Sequence, residues 1–118
     1  MRTVRDGEYA GFGANFAWSN IERYIGKSIT DVNDSALINA SPIKYVSADM
    51  PPVLLQHGNA DTICPIDQSL RFRDAAVRTA GNDRVVMTVQ DKAEHGDMAF
   101  GTEENMTVVR EFLASYLQ

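Results

Sequence analysis

A short apolar run, Val53-Leu54-Leu55, stands between Pro51-Pro52 and Gln56-His57-Gly58. It does not alternate apolar with polar residues. It therefore predicts a strand buried on both faces, as in a parallel sheet. A loop, Asn59 to Cys64, follows, and Pro65 suits the first turn of a helix, where its missing N–H costs nothing. The helix is expected over 65–80. At about 100° per residue, Ile66, Leu70, Phe72, Ala76, Val77 and Ala80 share one face. Asp67, Arg71, Asp74 and Arg78 lie opposite; Arg73 falls inside the apolar arc, from which its stem can snorkel. Gly81-Asn82 should end the helix through a left-handed glycine cap. The run Val85-Val86-Met87-Thr88-Val89, rich in β-branched residues, predicts a second strand. Thr102 can cap a last helix, with Glu103 and Glu104 near its positive end. Its arc of Met106, Val109, Phe112, Leu113, Tyr116 and Leu117 reads as core. Strand, helix, strand, helix is an α/β pattern, and a right-handed parallel crossover is the expected geometry.

The chain of 118 residues is expected to form one domain at most, 1–118, in two unlike parts. Residues 51–118 are the regular strand–helix–strand–helix part. Residues 1–50 read as an irregular, helical, cap-like segment, with short helices near 19–25 and 34–39. Asp34-Ser35 can cap the second of these. The aromatics from Tyr9 to Trp18 read as a satellite hydrophobic cluster rather than the lining of an acyl or sugar pocket.

A net charge of −5 argues against nucleic acid or an anionic membrane as partner, because phosphate binding needs a positive surface. One cysteine, Cys64, cannot form an intramolecular disulfide. No stretch reaches the roughly 18 apolar residues of a membrane span, and the first residues lack the apolar run of a signal peptide. A cytoplasmic location is the expectation. Asn33 and Asn105 each begin an N-x-S/T match, which matters only in a eukaryotic secretory pathway.

Two residues stand where parallel α/β sheets collect their sites. Asp61 follows the C-terminal end of the first expected strand, and His95 follows that of the second. Neighbouring strands would bring them together across 34 residues of sequence. A carboxylate beside an imidazole fixes its tautomer and stabilises its charged form, the task of the acid in a nucleophile–His–acid triad. The plainer alternatives are an ordinary loop carboxylate and a loop histidine satisfying one hydrogen bond. A metal set of His57, Asp61 and His95 is a weaker rival. His57 reads as structural, Cys64 as a buried thiol, and Asp97 as a solvated charge without a role.

The segment His57-Gly58-Asn59-Ala60-Asp61, with Pro65 and Gln68-Ser69 after it, resembles the H-G-x-x-D segment of α/β-hydrolases of the esterase and lipase kind. Ala93-Glu94-His95-Gly96 resembles their histidine loop. Ala40-Ser41-Pro42-Ile43-Lys44-Tyr45-Val46-Ser47, ahead of Pro51-Pro52, resembles the approach to the acid strand in small esterases. These include acetyl-xylan and feruloyl-type carbohydrate esterases and hormone-sensitive-lipase-like enzymes; prolyl-oligopeptidase-like peptidases carry similar segments. The resemblance covers roughly residues 22–118. It implies the C-terminal portion of an α/β-hydrolase fold, with Asp61 as triad acid and His95 as general base, and it calls for no cofactor.

In that fold the serine precedes the acid, on a G-x-S-x-G elbow. None of Ser19, Ser28, Ser35, Ser41, Ser47, Ser69 or Ser115 has that glycine flanking. The oxyanion hole depends on the same elbow and on an earlier loop. The chain is thus expected to be part of a serine esterase, inactive alone and acting on a small ester only when completed. A homo-oligomer or a missing N-terminal half would complete it, since two strands leave edges that invite pairing. The alternatives are a non-catalytic oligomerising module and a fragment of a prolyl-oligopeptidase-like peptidase.

Overall fold

The computed structural model describes residues 12–117, with side chains from Trp18 onward. The first helix, α1 (Phe12–Ile25), begins well before the helix expected near 19–25. Helix α2 (Ser35–Asn39) is capped by Asp34, whose carboxylate accepts the Ala36 N–H at 2.8 Å. Lys27 holds the other Asp34 oxygen at 2.5 Å, tying the loop back to the end of α1. Trp18, Ile29 and Leu37 form a buried cluster beneath these helices, with Ile21 and Ile25 packed on it. Trp18 thus belongs to a satellite cluster; the structure of Tyr9 and the side chains of Phe12 and Phe16 lie outside the described residues.

Strands β1 (Val53–Gly58) and β2 (Val85–Gln90) pair in parallel, Val53 with Val85 through Gly58 with Gln90. Between them runs α3 (Asp67–Ala80). Its start is tightened: Ser69 N–H bonds to the Ile66 carbonyl and Gln68 N–H to that of Pro65, so the regular helix begins two residues after the proline. Ala76 is fully buried, and Phe72 and Ala80 pack on a second cluster of Met50, Ala76 and Val85. On the far face Arg71 pairs with Asp67 at 2.6 Å, one turn earlier. Arg73 escapes the apolar arc by turning to Asp74 at 2.7 Å.

Strand β1 is only half-buried from Val53 to His57, not buried on both faces as its apolar run predicts, since two strands make up the sheet among the described residues. Two further local expectations need correction. Gly81 does end α3 with positive φ, but at φ 100° and ψ 165°, an extended geometry outside the left-handed helical region. The chain must enter a short 3-10 turn, Asn82–Arg84, rather than reverse over the helix end. The second correction concerns α4 (Glu103–Tyr116), capped by Thr102 as expected. Its apolar arc is not core. Met106, Leu113, Tyr116 and Leu117 are exposed, and Val109 and Phe112 are only half-buried. Among the described residues no layer covers the arc, and the sheet beside it is two strands wide.

Polar bonds hold α4 instead. Asn105 is 6% exposed. Its amide donates to Gln56 Oε1 at 3.0 Å and to the Phe100 carbonyl at 2.7 Å. Its oxygen accepts from Gln56 and Gln90, both at 2.7 Å. Gln56 lies on β1 and Gln90 on β2, so one amide fastens the helix to both strands.

Candidate active site

The parallel register ends β1 at Gly58 and β2 at Gln90, side by side. The two loops leaving these ends are bound to each other. Ala60 N–H bonds to the Ala93 carbonyl at 3.1 Å, and Asn59 N–H to that of Gln90 at 3.2 Å. The Asn59 side chain grips the second loop at two points, donating to Asp91 at 2.9 Å and accepting the Lys92 N–H at 2.6 Å. Lys92 sits at φ 58°, a left-handed geometry that a non-glycine residue seldom keeps without outside support.

Asp61 and His95 face each other across this seam. His95 Nδ1 lies 2.8 Å from Asp61 Oδ2. The other carboxylate oxygen accepts two backbone N–H groups, Cys64 at 2.7 Å and Ile63 at 2.9 Å. The Asp61 side chain is 5% exposed and that of His95 is 52% exposed. Burial is the strongest influence on the Asp61 carboxyl and raises its pKa. The bonds from Cys64, His95 and Ile63 together outweigh it and hold the group below the usual carboxylate range. An ionised carboxylate only accepts, so the Nδ1 of His95 carries the proton and Nε2 has a free lone pair in the neutral ring.

A cavity of about 190 Å³ opens at this point, lined by His57, Asp61, Cys64, His95 and Phe100 among others. Cys64 is partly buried and its thiol is pushed upward in pKa, first by burial and then by the Asp61 charge. Such a thiol is a poor nucleophile. His57 is fully hydrogen-bonded, Nδ1 to Ser69 Oγ at 2.7 Å and Nε2 to the Cys64 carbonyl at 2.8 Å. Both of its nitrogens are thereby engaged within the protein. Among the described residues, no group of three or more His, Cys, Asp or Glu is arranged to hold a metal ion.

Among the described residues, no serine hydroxyl is bonded to His95. Ser41 bonds to the Leu37 carbonyl, Ser47 to Asp49, Ser115 to the Phe112 carbonyl and Ser69 to His57. Sequence reasoning overlooked two residues that shape the site. Asn59 is one; an asparagine within a loop between strand and helix carries no distinguishing mark. Asp97 is the other. It accepts Glu94 N–H at 3.2 Å and Ala99 N–H at 2.9 Å, bracing the backbone on both sides of His95 and Gly96. Asp97 caps a short 3-10 turn, Met98–Gly101, and the preference of aspartate for turn starts is the signal that could have found it.

A family model described as BD-FAE matches residues 5–75, more than half of the chain. The chain belongs to the BD-FAE family. The matched span of this BD-FAE chain includes Asp61 and ends before His95. The chain is 29% identical over 97 residues to the probable carboxylic ester hydrolase LipM of Mycobacterium tuberculosis, covering 80% of this chain and 22% of that protein. It is 33% identical over 98 residues to esterase LipQ of the same organism, covering 82% of this chain and 23% of that one. The chain therefore spans less than a quarter of the length of these relatives. In three dimensions, 94% of it superposes on 38% of the butyrate-bound thermophilic esterase Est2 of the planctomycete Thermogutta terrifontis. The TM-score is 0.60 and the identity 21%. That likeness establishes the fold: an α/β arrangement, with two parallel strands and four helices among the described residues, that matches part of that structure.

Proposed function

We propose that this BD-FAE chain is the acid- and histidine-bearing part of a serine esterase, completed by a polypeptide segment that carries the nucleophile. The observation that carries the reading is the 2.8 Å bond between buried Asp61 Oδ2 and half-exposed His95 Nδ1. In the completed enzyme a serine attacks the ester carbonyl. His95 takes the serine proton on Nε2 and returns it to the leaving alcohol. Asp61 holds the ring and stabilises its charged form. A small carboxylic ester is the substrate class, in keeping with what the names of LipM and LipQ state of those proteins. Without the elbow serine and its oxyanion donors, the chain alone has little ester chemistry.

Intact-mass measurement after exposure to a fluorophosphonate tests this. The folded chain alone should gain no adduct. A one-to-one adduct mapped to one of its own serines would overturn the reading in favour of a self-sufficient enzyme. In any assembly that does label, His95→Ala should abolish nearly all ester turnover; retained turnover would remove His95 from the mechanism.

A second reading, a non-catalytic module that associates through its open faces, is favoured by the exposed arc of α4. It is also favoured by an apolar groove of about 570 Å³ beside β1, lined by Ile43, Val53, Leu55 and Phe72. Light scattering tests this second reading: a stable monomer at micromolar concentration counts against it.

A further inference from the structure

His57 has no part in the reaction just described, yet it touches the same carboxylate. It is the penultimate residue of β1 and its side chain is 11% exposed. Its Nε2 lies 2.8 Å from the Cys64 carbonyl oxygen. A carbonyl can only accept, so Nε2 bears a proton. In the neutral ring Nδ1 is then the acceptor, and the Ser69 hydroxyl, 2.7 Å away on α3, donates to it. The same Nε2 stands 3.4 Å from Asp61 Oδ2, the oxygen that receives His95. Cys64 is held at both ends, its carbonyl by His57 and its N–H by Asp61 Oδ1 at 2.7 Å. The 61–64 turn is thus suspended between an anchored imidazole and the carboxylate it presents.

We propose that His57 is a positioning residue for the Asp61–His95 pair. By gripping the Cys64 carbonyl, with the same Nε2 standing 3.4 Å from the shared Oδ2, it sets the rotation of the Asp61 carboxylate. Ser69 fixes the His57 ring from α3, so the first turn of that helix reaches the site through one hydroxyl. This arrangement is an outer hydrogen-bonding shell of the kind that orients groups which themselves touch substrate. The inference rests on the reading of Asp61 and His95 as acid and base.

The chain contains two histidines, so ring nitrogens can be observed individually in protein labelled with 15N-histidine. In the neutral rings, His57 should be the Nε2–H tautomer and His95 the Nδ1–H tautomer. His57→Leu should speed solvent exchange of the His95 Nδ1 proton about tenfold or more, the scale of one lost hydrogen bond, while the circular dichroism stays native. His57→Gln, which keeps an N–H donor, should restore slow exchange. Ser69→Ala should accelerate it in the same direction. A wild-type His57 in the Nδ1–H form, or a folded His57→Leu variant exchanging at the wild-type rate, overturns the proposal. Should His57→Leu fail to fold, an unchanged rate in Ser69→Ala overturns it equally. Asp61→Asn separates the two levels. If it leaves His95 exchange unchanged, the acid–base pair itself is refuted. If it accelerates exchange while the His57 and Ser69 variants do not, only the role of His57 falls.

Discussion

Gly58 and Ala93 approach so closely that no β-carbon fits between them. A Cβ built on Gly58 would lie 2.1 Å from the Ala93 carbonyl oxygen and 2.7 Å from its carbon. The obstacle is backbone, which cannot swing aside as a side chain would. The close approach allows Ala60 N–H to reach that same carbonyl and sets Asp61 against His95. Gly58→Ala should therefore push the histidine loop away from β1, at a cost of about 1–3 kcal/mol, the usual range for overpacking. Urea denaturation would measure the loss. A variant as stable as the wild type would mean that the loop contact is dispensable.

The Asp61 carboxyl gives stability a defined acid dependence. Its folded-state pKa lies below the ordinary value of 3.8, since the bonds from Cys64, His95 and Ile63 outweigh burial. A depressed carboxyl pKa contributes stability that is fully present above the unfolded value. It is lost as pH falls from there through the folded value. Asp34, Asp49 and Asp97, also lowered, act in the same direction from the surface. Asp61→Asn should flatten the acid limb of a plot of melting temperature against pH below about 4. An unchanged limb would show that the surface aspartates alone account for it.

Asn105 joins α4 to both strands through Gln56 and Gln90. Asn105→Ala removes four side-chain bonds and takes a partner from two half-buried glutamine amides, of which Gln56 keeps its bond to Thr88 Oγ1. Leaving one buried polar group unsatisfied costs about 1–3 kcal/mol. The substitution should destabilise the chain by at least that much, with the loss seen first in the hydrogen-exchange protection of α4. Even exchange throughout the chain would argue that α4 is not held by this amide. The N-x-T match at Asn105 is engaged in the same bonds and should stay unmodified in folded protein expressed in a glycosylating host.

The exposed arc of α4 should govern self-association. Leu113 is 46% and Leu117 77% exposed. Replacing both with Lys should lower the scattering mass at high concentration and leave the unfolding free energy within about 0.5 kcal/mol of wild type, as for surface positions. A melting temperature that drops sharply would show instead that the arc packs on the rest of the chain.

Much of the local structure could be read in the residues themselves. The apolar run ending at His57-Gly58, the cap at Thr102 and the Asp34 cap act within a few residues. Their geometry follows from steric and hydrogen-bonding rules that need no distant partner. The α/β order was legible for the same reason, and so was the placement of Asp61 and His95 beyond two strand ends, since strand polarity is set along the chain. The tertiary structure alone decided the rest. Whether the α4 arc is buried depends on what lies above it, and among the described residues a two-stranded sheet offers nothing there. That Asn59 clasps Asp91 and Lys92, that Asn105 spans two strands, and that His57 and His95 converge on one carboxylate oxygen are pairings between residues up to 49 positions apart. Local propensity carries no record of such pairings. They arise when the parallel register sets the two strand ends side by side.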